Sequence, residues 1–458
     1  MNAITPASAR PDARLLTRYD GRAPRYTSYP TALSFSPQVD ETLYRSWLSE
    51  LDPATALSLY IHVPFCQRLC WYCGCNTRVV RKRDLISSYN QLVIDELGLL
   101  QAALPDKMGV GQIHLGGGTP NMLSRDDMTN LFGAIRQVFK VAPEAEIAAE
   151  LDPASLTRDW VRAAAYHGLS RASLGVQDLT PEVQKAVNRI EAFSVVEQAA
   201  SWLREAGIRS LNLDLMYGLP NQTTDGMLAT LAQVISLRPE RLALFGYAHV
   251  PWARPHQKLI PTERLPGAAE RLDQSEAAAD WLASEGYVRI GLDHFAREDD
   301  SLAIAARAGK LHRNFQGYTT DPHEVLLGVG ASSIGRLPQG FAQNIAGEAQ
   351  WRAAVAAGRL PITRGVQLTD DDRFRGDIIE RLMCDLKVDL AAVCADHGRS
   401  LGELEPALEA IRALVADGVV EVDGALIAVT DPGRPFLRSV CQLFDVRSND
   451  PGAHSRVV

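Results

Sequence analysis

No apolar run in this chain approaches the ~18 residues that a membrane-spanning helix needs, so nothing predicts a bilayer segment. The opening stretch, MNAITPASARPDARLLTRYDGRAPRYTSYP, scatters Arg and Pro where a secretory signal would carry an apolar core. The expectation is a protein of the cytoplasm. Also missing is any block of Lys and Arg interleaved with aromatics, and the formal net charge is −8, which argues against nucleic acid as a partner. Cysteine is scarce and unevenly placed. Of seven, four crowd into ten residues as Cys66, Cys70, Cys73 and Cys75, while Cys384, Cys394 and Cys441 lie scattered. An odd number in that distribution makes a poor disulfide framework. It points instead to metal or redox chemistry at the cluster, with the distal three as small buried apolar residues.

What is present is the composition of a folded enzyme: 46% hydrophobic and 22% charged residues over 458 positions, enough for one large domain and a smaller one. From about residue 57, β-rich runs (LSLYIHV, QIHL, AEIAAEL, RASLGVQ, LNLDLMYG, RLALFGYA, VRIGLDHF) alternate with helical stretches whose apolar residues recur every three or four positions. Such order predicts a parallel sheet, doubly wound or curved into a barrel, and periodicity alone does not choose between these. The polar, glycine and cysteine residues fall at the C-terminal ends of the strand candidates. There stand the cysteines, GGGTP, Glu150 and Asp152, Gln177 and Asp178, with Asp214 inside the fifth run. This is the pattern of a barrel whose site is assembled from strand ends. Six or seven strands make it incomplete and open on one side. After about residue 360, helices and a VVEVDGALIAVT hairpin suggest a second domain. A winged helix for DNA would share that order but lacks a basic face.

Cys66, Cys70 and Cys73 form C-x3-C-x2-C just after the first strand. Three thiolates can hold three irons of a 4Fe-4S cube, leaving the fourth iron to the amino and carboxylate groups of S-adenosylmethionine. Electron transfer would then cleave the bond from sulfur to C5′. A zinc site completed by Cys75 or His62 is the competing reading. Gly116-Gly117-Gly118-Thr119-Pro120, one β/α unit later, allows close backbone approach to a ligand; alone it could be only a tight turn.

YIHVPFCQRLCWYCGCN, HLGGGTPNML, ELDP, LGVQD, NRIE, NLDLMYGLPNQT, DHFARED and LHRNFQGYTT, with PRYTSYPT before them and HSRVV at the end, resemble the oxygen-independent coproporphyrinogen III oxidases. The resemblance implies a partial (β/α)6-type TIM barrel of the radical S-adenosylmethionine class with a mostly helical C-terminal domain. It divides the chain into an N-terminal arm at the active site (1–50), a catalytic barrel (51–360) and the helical domain (361–458). It implies one 4Fe-4S cluster on Cys66, Cys70 and Cys73, and two S-adenosylmethionine molecules. Tyr60, Gly117, Glu150 and Ile334 match positions around the first, with Tyr60 and Glu150 as catalytic groups. Tyr72, Gly118, Thr119, Gln177, Arg189, Asp214 and Ala248 match those around the second. Tyr72 and Gly246 stand where the family often has Phe and Asn.

The implied reaction converts two propionates of coproporphyrinogen III to vinyl groups. It needs a low-potential donor of flavodoxin or ferredoxin type and an electron acceptor, in a protein expected to be monomeric. Related haem chaperones with similar barrels but no oxidase activity form the alternative. Each residue also has a plainer reading: Asp214 as a helix cap, Glu150 and Arg189 in ordinary ion pairs, Ile334 as core filling. The arm Pro24 to Thr31 has no apolar periodicity and is expected to act as a lid outside the core.

Overall fold

In a computed structural model, residues 13–447 and 454–458 are described. Six strands follow one another through the first half: β1 (Ala56–Val63), β2 (Gly109–Gly117), β3 (Lys140–Leu151), β4 (Leu169–Gln177), β5 (Ser210–Tyr217) and β6 (Arg241–Gly246). Each pairs in parallel with the next. β1 is buried along both faces, as a central parallel strand covered by helices must be. The connecting helices include α1 (Arg83–Ala103), α2 (Arg125–Val138), α3 (Arg158–Tyr166), α4 (Phe193–Glu205), α5 (Thr224–Ile235) and α6 (Ala268–Ser284). Ser124 and Asp127 close a capping box at the start of α2, which satisfies amide groups the helix cannot. The apolar stripe of α2, with Leu131 and Ile135 fully buried, then packs on the sheet, each side chain contributing roughly 1.5–3 kcal/mol.

The seventh expected strand, VRIGLDHF, is two. β7 (Tyr287–Ile290) and β8 (His294–Arg297) form an antiparallel hairpin turning at Gly291, whose φ is +54°, and β8 lies antiparallel to β6. On the other side of the barrel, β9 (Val325–Val329) pairs in parallel with β1 and leads into the antiparallel meander β10 (Ile334–Leu337), β11 (Gly340–Asn344) and β12 (Ile362–Gln367). The twelve-stranded sheet therefore runs from β12 to β7 and stays open.

Beyond it, α7 (Asp370–Asp385) starts from a second capping box, Thr369 and Asp372. Further helices and a three-stranded sheet of Lys387–Asp389, Leu426–Val429 and Val420–Asp423 follow. This part has its own apolar core around Phe374, Leu382, Phe436 and Phe444. The arm differs from the expectation of a lid outside the core. Tyr26 and Tyr29 are 3% and 9% exposed and belong to that core, because two rings at a spacing of three bury as well without helical or strand periodicity. Residues 21–23 also pair with 455–457, with Ala23 N–H donating to Ser455 O at 3.3 Å and Val457 N–H to Gly21 O at 2.8 Å.

Candidate active site

The cysteine loop leaves β1 and is clasped at its base. The short strands Phe65–Cys66 and Arg78–Val79 pair in parallel, and Val80 N–H donates to Cys66 O at 3.0 Å. Between them, loop carbonyls are taken up by side chains of other β/α units and of β1: Leu69 O by Asn188 at 2.8 Å, Tyr72 O by Gln257 at 3.0 Å, Cys73 O by His256 at 2.7 Å, and Asn76 O by His62 of β1 at 3.0 Å. All four cysteines of the loop are free thiols. The Thr119 hydroxyl donates to Cys66 Sγ at 3.4 Å and Arg189 Nη1 to Cys70 Sγ at 3.6 Å. Burial pushes the Cys66 thiol up to about 11, whereas the hydrogen bond from Cys75 lowers Cys73 to about 6.

Donors and a positive charge aimed at sulfur suit thiolate ligands. Among the described residues no three His, Cys, Asp or Glu side chains close on one point as a mononuclear ion requires. Thiolates of a cubane each bind a different iron and stand further apart, so the donor set fits a 4Fe-4S cluster better than zinc.

Beside the loop, β2 ends in the glycines. Gly117 has φ +103°, and a Cβ there would lie 2.3 Å from the His62 ring; one at Gly118 would lie 2.8 Å from the carbonyls of Val63 and Phe65. Only glycine lets this turn press against the base of the cysteine loop. Glu150, near the end of β3, accepts from Gly117 N–H at 3.1 Å and pairs with His114 Nε2 at 3.1 Å. Burial alone would raise its carboxyl, but His114 and Gly117 outweigh that and hold it below the usual carboxylate range. Tyr60 stacks on His114 and bonds His62 Nδ1 at 3.1 Å. Asp214 accepts from Ser173 at 2.6 Å and Asn212 at 2.7 Å, and burial raises its carboxyl. Tyr60, Glu150 and Asp214 line one cavity of about 260 Å³.

Arg189 lies deeper, under the loop. It pairs with Asp152 at 3.0 Å and bonds Gly175 O; Arg68 joins Asp152 at 3.2 Å and Glu191 at 2.7 Å. Gln177 ends β4 with φ +71°, and its amide sits 3.0 Å from where a Cβ on Gly175 would be. Gln257 ties Tyr72 to Ala248, donating to both carbonyls. Ile334 stands apart, packed with Phe35, Phe341 and Val366 on the wall of an adjoining cavity of about 670 Å³. Sequence reasoning missed His114, His256 and Gln257. His114 could be found as the inward residue of QIHL, two before the glycines; nothing local marks the other two.

Residues 60–234 match the family model of the radical SAM superfamily, and residues 368–436 match that of the HemN C-terminal domain. The oxygen-independent coproporphyrinogen III oxidase of Bradyrhizobium diazoefficiens is 48% identical over 95% of this chain and 97% of its own length. That of Paracoccus denitrificans is 41% identical over 96% and 97%. Among solved structures, coproporphyrinogen III oxidase (HemN) from Escherichia coli, a radical SAM enzyme, superposes with a TM-score of 0.89 at 37% identity, covering 96% of this chain and all of that one. With strand order, cysteine loop and full-length likeness in agreement, this chain belongs to the oxygen-independent coproporphyrinogen III oxidase family of the radical SAM superfamily.

Proposed function

We infer that this protein oxidises coproporphyrinogen III to protoporphyrinogen IX without oxygen. The observation that carries this reading is the loop at the ends of parallel strands with the free thiols of Cys66, Cys70 and Cys73, Cys66 meeting Thr119 and Cys70 meeting Arg189. The likeness to oxidases of that name along nearly the whole chain supports it. A 4Fe-4S cluster and S-adenosylmethionine, when bound, supply a 5′-deoxyadenosyl radical able to take hydrogen from an unactivated carbon.

The chain's own groups bind and orient. Cys66, Cys70 and Cys73 would hold the irons. Tyr60, Gly117, Glu150 and Ile334 would hold the first S-adenosylmethionine, with Glu150 as an ionised partner for a cationic group, and Tyr60 and Glu150 would serve as catalytic residues. Tyr72, Gly118, Thr119, Gln177, Arg189, Asp214 and Ala248 surround a second. At each of two propionates the substrate loses a hydrogen atom from the carbon next to the ring, then carbon dioxide and one electron, leaving a vinyl group. That electron passes to an acceptor. A flavodoxin- or ferredoxin-like donor starts each turnover. Residues 1–50 serve as the arm, 51–360 as the catalytic barrel and 361–458 as the helical domain. Among the described residues no helix is long and apolar enough to cross a membrane, and the free cysteines suit a reducing compartment; the reading is a cytoplasmic monomer.

Anaerobic incubation of the reconstituted protein with coproporphyrinogen III, S-adenosylmethionine and a reductant tests this. Protoporphyrinogen IX is the expected product. Haem binding without conversion would identify a haem chaperone instead.

A further inference from the structure

The paired segments around residues 21–25 and 455–458 roof a cavity of about 380 Å³ that also meets Gly246 to Ala248, beyond the C-terminal end of β6. Seven arginines line it against one acidic side chain, Asp293. Arg289 pairs with Glu276 at 3.1 Å and Arg456 with Asp20 at 3.1 Å. Arg25, Arg271 and Arg438 donate to the backbone carbonyls of Gly246, Tyr247 and Ala23 at 2.9, 2.9 and 3.0 Å. Those bonds fix the guanidinium planes without neutralising them.

Arg313 is the least satisfied. Its side chain is 6% exposed and 4.0 Å from Asp293, and its Nε and Nη1 are buried without a hydrogen-bond partner, as is Nε of Arg271. Burial would raise the Asp293 carboxyl, yet His294, Arg313 and Arg25 hold it at about 2, so one acid is already fully used. Buried guanidinium N–H groups without acceptors, crowded together, are unfavourable unless an anion completes them.

The neighbouring cavity of about 670 Å³ shares Arg313, and Tyr26, Tyr29, Phe315 and Phe341 stand in its wall. It carries five carboxylates against three arginines, which repels acidic groups and leaves the arginine cavity as their place. A molecule with a flat apolar body and acidic arms fits across Arg313.

We propose that the arginine cavity binds carboxylate arms of the tetrapyrrole substrate, with Arg271 and Arg313 as principal donors, as a site separate from the strand-end cavity at Glu150. This rests on the functional reading above. Because Ala248 lines the same cavity, the carboxylate of a S-adenosylmethionine is the rival source.

The test uses the reconstituted holoenzyme with Arg271→Met, Arg313→Met and the charge-keeping Arg271→Lys and Arg313→Lys. Binding of coproporphyrin III, the fluorescent oxidised substrate, is measured beside its tetramethyl ester and S-adenosylmethionine, with iron content and thermal midpoint as controls of folding. Each Met variant should weaken coproporphyrin III at least about tenfold. The Lys variants should recover part of this, the ester should be insensitive to either change, and S-adenosylmethionine affinity should hold. Unchanged coproporphyrin III affinity in the Met variants, or in the uncharged Arg271→Gln and Arg313→Gln if the Met pair fails to fold, overturns the proposal. So does selective loss of S-adenosylmethionine binding. A wild-type protein that binds coproporphyrin III through these arginines but yields no protoporphyrinogen IX would refute the oxidase reading alone.

Discussion

Glu150 is held by the backbone N–H of Gly117 and by Nε2 of His114, both at 3.1 Å, each on a different carboxylate oxygen. Both partners sit on β2, so one strand aims a carboxylate offered by its neighbour.

Glu150→Gln should therefore be severe for a reason beyond lost charge. Only one orientation of the amide, its oxygen on Gly117 N–H and its NH2 on His114, keeps both bonds, and it needs the His114 tautomer whose Nε2 accepts. Iron content should stay normal while cleavage of S-adenosylmethionine to 5′-deoxyadenosine falls about a hundredfold. A normal yield of 5′-deoxyadenosine would remove Glu150 from the site.

The four loop cysteines should separate into two classes. Substituting Cys66, Cys70 or Cys73 by Ala should abolish the cluster's absorbance and electron paramagnetic resonance signal, because two thiolates anchor a cube poorly. Cys75 is exposed and hydrogen-bonds Cys73; Cys75→Ser should keep most of the iron. Iron loss in Cys75→Ser alone would reverse the ligand assignment.

Gly117→Ala should cost both fold and function. The new methyl would meet the His62 ring at 2.3 Å in a backbone conformation, φ +103°, that alanine avoids, a penalty of about 1–3 kcal/mol. Chemical denaturation should register that loss, and S-adenosylmethionine binding should weaken as the backbone N–H of residue 117 is pushed away from Glu150.

Glu96 gives a pH dependence. It is buried, accepts from Gly330 N–H at 2.9 Å, Asn344 at 2.6 Å and Trp351 at 3.0 Å, and burial still pushes it up to about 7 against 4.5 for a free carboxyl. The folded protein then binds one more proton than the unfolded chain between those values. Stability from this group is present below pH 4.5 and lost as pH rises to about 7, a total of about 3 kcal/mol. Denaturation curves from pH 5 to 8 should have this slope in wild type and lose it in Glu96→Ala.

The strands β1 to β6 were legible because each is a compact β-rich run ending in polar or glycine residues, and the cysteine spacing narrowed the chemistry to an iron–sulfur cluster or zinc. VRIGLDHF reads as one strand only if Gly291 is extended; its positive φ makes it a turn. β9 escaped because VLLGV is five residues long and buried or half-buried throughout, with neither alternation nor helical period. The arm's tyrosines entered the second core on the strength of contacts hundreds of residues away, such as Tyr26 with Asp445 at 3.1 Å. Arginines 22, 25, 271, 313 and 438 cannot be read as one group from a sequence that separates them by up to several hundred positions. Local pattern reports strands, turns and loops. Convergence of distant side chains is a property of the folded sheet.

The side chains of Asn188, Gln257, His256 and His62 grip four points of the cysteine loop, from the segments after β4 and after β6 and from β1 itself. The loop is thus preorganised by the protein, and the conformational entropy of shaping it is spent during folding, before iron arrives. Unlike a zinc finger, whose fold and metal stand or fall together, this site should tolerate chelation and reloading without passing through an unfolded chain. The damage oxygen does to such a centre would then be reversible at the level of the protein.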